Sequence, residues 1–268
     1  MAITTLDGLI AGFTQPRELL KVGGTMEAAG VLHSLFYAGG SPGAAAVPSP
    51  GMAGAALTSY AGQIPFSNPV SGNTYLAGLS AAAGVAGKLL LVDRLWHNSG
   101  INVTTTTAQT INSVAWPARD RDGSANGVGV LVGIEVSTAT TNGSAVTNTT
   151  LSYTDSDNNA GATGTIASFP ATAVAGTFVP FQMAAGDAGK RSVQSVTLGT
   201  SYGGGAIHLV AYRVIAELPL ILANAGARLD AVQLGMPRLY NDSVLQLLWL
   251  PSATTAVTVT GGLTFAQG

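Results

Sequence analysis

The fold class is decided by the segment Thr147-Asn-Thr-Thr-Leu-Ser-Tyr-Thr154, which continues through Asp155-Ser-Asp-Asn-Asn-Ala-Gly161 into Ala162-Thr-Gly-Thr-Ile-Ala-Ser-Phe169. The first run alternates, with Leu151 and Tyr153 on one face, as in a half-buried strand. The middle run holds Asp, Asn and Gly, the residue types of turns. The last run returns with β-branched and apolar residues. The segment therefore predicts an antiparallel β-hairpin.

Similar runs recur after residue 88, with turn residues about every ten positions. This spacing predicts a mainly β protein, an antiparallel β-sandwich of the jelly-roll kind. The other predicted strands are 89–92 with 95–96, 101–107, 127–136, 177–183, 192–198, 206–215, 244–250 and 256–265. A short echo between 117–141 and 237–255, each a Pro and Arg followed by a strand and a Ser/Thr/Ala run, suggests two related β halves.

The first 27 residues predict one short helix and leave room for a second. Thr5 is a suitable N-cap, and Leu6, Ile10 and Phe13 follow at helical spacing. The second helix would come after Pro16. No basic and apolar leader of a secretory signal stands at the start.

Residues 28–87 hold no Asp, Glu, Lys or Arg and are dominated by Gly, Ala, Ser and Pro. Disordered linkers usually combine charge with few aromatics, whereas aromatic side chains recur throughout this stretch. We therefore expect residues 1–87 to be an extended arm laid over a partner, followed by a β-sandwich domain at 88–268. A loose linker, or an Ala-rich helix over 75–85, is the alternative for part of the arm.

Aromatic side chains give a large contact area at low entropic cost. The residues expected to make assembly contacts are Phe36, Tyr37, Tyr60, Phe66 and Tyr75 in the arm, and Trp96 and His97 near the predicted domain boundary.

Charge is scarce in this chain. Charged residues make up 9% of it and the net charge is −2, against about 25% charged residues in ordinary soluble domains. Such a surface gives copies little mutual repulsion. One hypothesis is a subunit whose surface is covered by neighbours, and the other is a free β protein with a neutral surface. Neither a nucleic-acid partner nor a membrane is expected. Without cysteine, disulfides and thiolate sites are excluded.

Candidate catalytic motifs are weak. Gly199-Thr-Ser-Tyr-Gly203 fits a nucleophile elbow, but the only later histidine is His208, seven residues after Ser201. A Gly-rich turn is the preferred interpretation. Glu135 and Glu217 lie in apolar runs and are expected to form ion pairs with Arg213 or Arg238. We expect no catalytic residue and no enzyme.

Metal and cofactor sites are not expected either. Asp155, Asp157 and Asn159 match the first ligand spacings of a calcium loop, but Ala160 and Ile166 stand where Gly and Glu are needed. A polar turn is favoured, and a weak surface cation site at Asp155 and Asp157 stays open. His33, His97 and His208 lack the spacing of a metal motif.

Four stretches resemble virion structural proteins of tailed bacteriophages. They are 89–100 (LLLVDRLWHNSG), 178–187 (FVPFQMAAGD), 191–199 (RSVQSVTLG) and 249–258 (WLPSATTAVT), together with the Gly/Ala-rich arm. The resemblance implies a minor head component, such as a decoration or cement protein. Such proteins commonly form trimers or clusters on a shell of major capsid protein, after assembly in the host cytoplasm. It transfers no functional residue.

Two alternatives remain open. One is a tail, baseplate or fibre-base protein of the same virions. The other is a carbohydrate-binding or hydrolytic β-sandwich in which Trp96, Trp116 and Tyr202 stack on sugar.

Overall fold

The computed structural model describes residues 3–23 and 28–268, and it confirms a mainly β chain built from antiparallel sheets. Within these residues the helices are α1 (Leu6–Ala11) and α2 (Ala231–Leu234), and a 3-10 turn covers Leu35–Tyr37. The strands are β1 (Arg17–Val22), β2 (Leu32–Ser34), β3 (Gly39–Ser41), β4 (Ala55–Ala56), β5 (Thr74–Ala83), β6 (Gly87–His97), β7 (Gln109–Thr110), β8 (Val130–Thr138), β9 (Val146–Asp155), β10 (Ala162–Phe169), β11 (Thr177–Pro180), β12 (Lys190–Thr197), β13 (Ala206–Leu220), β14 (Ala227–Leu229), β15 (Arg238–Leu239), β16 (Leu245–Pro251) and β17 (Thr258–Gln267).

The chain divides into two compact units, and β6 and β13 each contribute residues to both. Unit 1 is formed by Met1–Ala45, Ser59–Asp93 and Val214–Gly268. Unit 2 is formed by Ala46–Thr58 and Arg94–Arg213.

Unit 1 contains a six-stranded sheet in the order β14-β5-β17-β1-β3, with β15 also paired to β5. A second group of strands places β16 between β2 and the first part of β6. Leu79 and Leu263 from the six-stranded sheet share a buried cluster with Leu91 and Trp249 from the second group. Burial of each such side chain contributes roughly 1.5–3 kcal/mol to folding. Because the cluster draws on both groups of strands, unit 1 is a sandwich with its core between them.

Unit 2 pairs β8 with β11 and with the first part of β13, and it contains a four-stranded sheet in the order β10-β9-β12-β7. The predicted hairpin is confirmed as β9 and β10, with Ala162 opposite Tyr153 and Phe169 opposite Val146. Leu151 and Tyr153 are both buried in the core of the unit, as their alternation predicted.

The first helix is confirmed, since the Thr5 side chain accepts a hydrogen bond from the Gly8 amide at 3.0 Å. The second helix is wrong, because the residues after Pro16 form β1. Likewise, the Ala-rich segment considered as a helix forms β5. Both strands pair with β17, so their geometry is set by a sheet partner near the other end of the chain.

The residues predicted to form an extended arm pack within the two units of their own chain. β1 and β5 are inner strands of the unit 1 sheet, and the predicted boundary between residues 87 and 88 falls inside unit 1. Between β3 and β5 the chain is largely irregular, but its backbone is bonded to its own unit. Ile64 N–H donates to Leu245 O within unit 1, and Leu57 N–H donates to Leu95 O within unit 2, both at 2.8 Å. The two echoing segments 117–141 and 237–255 fall in different units.

Candidate interaction surface

The residues predicted to make assembly contacts are buried or half-buried within their own units. Phe36 is buried and stacks on the Tyr60 ring with centroids 5.6 Å apart, and its ring lies 6.1 Å from that of Tyr37. Phe66 meets Phe265 edge-on at 5.8 Å.

Near the predicted domain boundary, Trp96 and His97 have 0% and 1% of their surface exposed. Trp96 Nε1–H donates to Ala53 O at 3.0 Å. Tyr75 is half-buried and its hydroxyl accepts from Asn73 Nδ2 at 3.4 Å. Trp96, His97 and Phe36 are therefore core residues with no surface to offer a second chain.

A fully buried ionic cluster lies in unit 2. The Arg94 guanidinium makes two contacts with Glu135, Nη1 to Oε1 at 2.9 Å and Nη2 to Oε2 at 2.8 Å. Its Nε–H donates to His97 Nδ1 at 3.1 Å. Burial, aided by the Arg94 charge, lowers the pKa of His97 to about 3. Glu135 thus pairs with Arg94, and the cluster joins β6 to β8.

Ser137 and His208 form a polar pair at the edge of this cluster. His208 Nδ1 lies 2.8 Å from Asn98 O, and since a carbonyl only accepts, Nδ1 carries the proton. Nε2 therefore accepts from the Ser137 hydroxyl at 2.7 Å. Burial lowers the pKa of His208. A neutral imidazole in this tautomer can act as a base towards a serine. The pair was missed in the sequence because Ser137 lies 71 residues before His208.

Two acidic residues organise turns in unit 2. Asp155 accepts from the amides of Asp157 and Asn159 and from the Asn159 side chain, all within 2.9 Å. These bonds, the Asn159 side chain's first, lower the pKa of Asp155. Asp120 binds the turn that ends at Val128 in the same way. Within residues 3–23 and 28–268, no group of three or more acidic or histidine side chains is arranged to hold a metal ion.

Lys21 ties the start of the charge-free segment to β1. Its buried ammonium donates to the carbonyls of Ala38 at 3.2 Å, Pro42 at 2.9 Å and Gly43 at 3.2 Å. Burial lowers the pKa of Lys21 to about 8. All three N–H donors are used, so one side chain holds residues 38–43 against the sheet.

The six-stranded sheet of unit 1 has one face in the core and one that the described residues leave open. On β1, Leu19 and Lys21 are buried, whereas Leu20 and Val22 keep 39% and 47% of their surface exposed. We call this side the open face. It consists of Glu18, Leu20, Val22, Gly39, Ser41, Ser80, Ala82, Arg228, Thr258, Thr260, Gly262 and Thr264. Only Glu18 and Arg228 among them carry charge, so the surface is neutral over most of its width.

A shallow cleft of about 210 Å³ lies on the open face, lined by Pro16, Ser80, Arg228, Gly262 and Thr264 among others. The sequence of β1 does not indicate a strand, because its two faces do not differ in polarity. Leu19 and Lys21 lie on one face and Leu20 and Val22 on the other, so apolar and charged residues occur on both.

Helix α1 adds further exposed apolar surface to unit 1. None of its residues is buried, and Leu6 and Ile10 are 71% and 57% exposed. A second cleft, of about 360 Å³, is lined by Gly8 and Gly12 of this region, by Val70 and by the last two residues of the chain. Among the described residues, most of the large apolar side chains that are well exposed belong to unit 1, so unit 1 holds the candidate interaction surface.

Comparisons with known proteins give little guidance. No protein-family model matches the chain, and no curated protein matches it. Among solved structures, the VP2 subviral particle of infectious bursal disease virus aligns at 10% identity, covering 96% of this chain and 81% of that one, with a TM-score of 0.19. The T=1 particles derived from the same virus align at 12% identity over 96% and 79% of the two chains, with a TM-score of 0.16. At these TM-scores neither similarity bears on fold or function.

Among the residues that the structure describes, no helix is long and apolar enough to cross a membrane.

Proposed function

We propose that this chain is a non-enzymatic structural subunit of a bacteriophage virion, bound to copies of itself and to a capsid as a decoration, cement or minor head protein. The observation that carries the proposal is the open face of unit 1. It exposes Leu20 and Val22 on a regular sheet that is almost free of charge. In a chain with 9% charged residues, such a face is best stabilised by a neighbour that removes it from water.

The interior of the chain supports a structural role. Its buried polar groups hold strands and loops together, as Arg94 does with Glu135 and Lys21 with three carbonyls. The sequence resemblance to tailed-phage virion proteins supplies the choice of a virion over another assembly.

The carbohydrate-binding alternative loses its proposed residues. Trp96, Trp116 and Tyr202 are all buried in the core of unit 2. A sugar needs exposed ring faces on which to stack, and these three rings offer none. The tail or baseplate alternative uses the same kind of surface as a head protein, and only location separates the two.

The test is immunogold labelling of particles from the virus that encodes the chain, using antibodies against the purified protein. Label on heads supports the proposal, and label on tails or baseplates selects the alternative. Particles that carry no label, and from which mass spectrometry recovers none of its peptides, would overturn the virion role.

A further inference from the structure

One row of residues crosses four strands of the unit 1 sheet on the open face. Arg228 of β14 is opposite Ser80 of β5, Ser80 is opposite Gly262 of β17, and Gly262 is opposite Glu18 of β1. Directly opposed residues point to the same side of a sheet. The row therefore has the positive charge of Arg228 at one end and the negative charge of Glu18 at the other. The small residues Ser80 and Gly262 lie between them.

We propose that the open face binds the same face of a second copy across a two-fold axis that runs parallel to the strands. The two-fold rotation about this axis places the two rows antiparallel, so that each end of one row faces the opposite end of the other. Glu18 of one copy then faces the partner's Arg228, and Arg228 faces the partner's Glu18. Two ion pairs thus form at opposite margins of one interface, which is the self-complementarity that a two-fold contact requires.

The charges also exclude the other simple face-to-face arrangement. A two-fold axis in the interface plane but perpendicular to the strands would place Glu18 against Glu18 and Arg228 against Arg228. Three inter-strand spacings of about 4.8 Å separate the ends of the row by about 14 Å. At that separation no opposite charge of the row lies close enough to compensate either pair of like charges. Repulsion therefore favours the two-fold axis parallel to the strands.

The centre of the face is shaped for close approach. Two sheets that pack face to face lie about 10 Å apart, and Ser80 and Gly262 present almost no side chain at that distance. The cleft of about 210 Å³ that both residues help to line leaves room for a side chain of the partner. Leu20 and Val22, exposed on the same face, lose their contact with water when the sheets stack.

This inference deepens the self-association part of the proposed function and rests on it. It does not depend on where in a virion the subunit sits.

The experiment measures self-association of the full chain by sedimentation equilibrium, with four variants. Glu18→Arg and Arg228→Glu each place like charges in both pairs, and the double variant Glu18→Arg/Arg228→Glu restores opposite charges with the signs exchanged. Gly262→Leu fills the centre. A Cβ at Gly262 would meet Arg17 O at 3.4 Å and Ser80 Oγ at 3.7 Å, which is ordinary contact, so the backbone accepts a side chain there. Arg121→Glu, on an exposed turn of unit 2, is the matched control.

We expect each single reversal to weaken self-association by about tenfold or more, and the double variant to recover it to within about threefold of the native chain. Gly262→Leu should weaken it by a similar factor with unchanged circular dichroism, and Arg121→Glu should leave it unaltered. If the native chain associates and the double variant stays as weak as the single ones, the two-fold contact is wrong while self-association stands. Association unchanged in Gly262→Leu would overturn the open face as the contact. A native chain that stays monomeric would overturn both.

Discussion

Arg94 and Glu135 are joined by two short contacts with no solvent exposure on either side chain. The pair links β6 to β8, and the Arg94 Nε–H also fixes His97. A buried ion pair gives little net stability over an apolar pair, but a buried charge that loses its partner is costly. The residues at 94 and 135 therefore act as a unit.

Substitution of Arg94 by Met should lower the free energy of unfolding by about 3–5 kcal/mol, because the buried Glu135 carboxylate loses its ion-pair partner. The double variant Arg94→Met/Glu135→Leu should lose clearly less. Denaturant titration gives both values. The control is Lys88→Met, which removes an exposed pair with Glu217 at 2.8 Å and should cost less than about 1 kcal/mol. An Arg94→Met variant no less stable than this control would contradict the role of the cluster.

Acid should destabilise the chain before its carboxylates titrate. Burial lowers the pKa of His97 to about 3 and that of His33 to about 4, and the pKa of His208 is also lowered. The unfolded chain binds these protons near its ordinary value of about 6.5. Stability is therefore complete above that pH and falls as the pH drops towards the folded-state values.

Between pH 7 and pH 5, His97 and His33 should each lower the free energy of unfolding by about 1–2 kcal/mol. The groups that face His97 are Arg94, Glu135 and His208. Urea titrations at the two pH values measure the loss. The variant His97→Gln, which keeps an acceptor for Arg94, should lose less stability than the native chain over this range. An identical loss in both proteins would show that folding does not lower the pKa of His97.

Gly54 shows how closely the charge-free segment is fitted to its own chain. Its φ is +73°, and an added Cβ would lie 2.3 Å from Trp96 Nε1. We expect Gly54→Ala to destabilise unit 2 by about 1–3 kcal/mol, through overpacking and a strained backbone. Gly143→Ala in the same unit meets nothing within 4 Å and has no positive φ, so it is the matched control. Thermal unfolding compares the two, and equal midpoints would mean that residue 54 is free to move.

The local part of the fold could be predicted from the sequence. The β9–β10 hairpin has its own alternation and its own turn, so all the information lies within 24 consecutive positions, 146–169. The later strands β8, β13, β16 and β17 were found for the same reason. Helix α1 was found from its N-cap and spacing.

The pairing of β1 with β17 could not be predicted in this way. Leu20 lies opposite Thr260, 240 positions later in the chain, and no local pattern specifies such a partner. Without that partner, the residues after Pro16 favour a helix, and the residues around them favour an arm that needs another protein. The expectation that Trp96 and His97 lie at a surface is wrong on the same ground, because the strands and loops that cover them are distant in sequence.

The candidate interaction surface was likewise hidden from the sequence. Glu18 and Arg228 become ends of one row only when three strand registers are known. The low charge of the chain can be seen in the sequence alone, and it indicates contacts with neighbouring subunits.

The proposed function requires that this chain associates with copies of itself. The direct measurement is the native mass of the purified protein over a range of concentrations. We predict twice the chain mass of 26.8 kDa, or a larger even multiple. A trimer would contradict the two-fold contact, and a mass of 26.8 kDa at every concentration up to hundreds of micromolar would contradict the central claim.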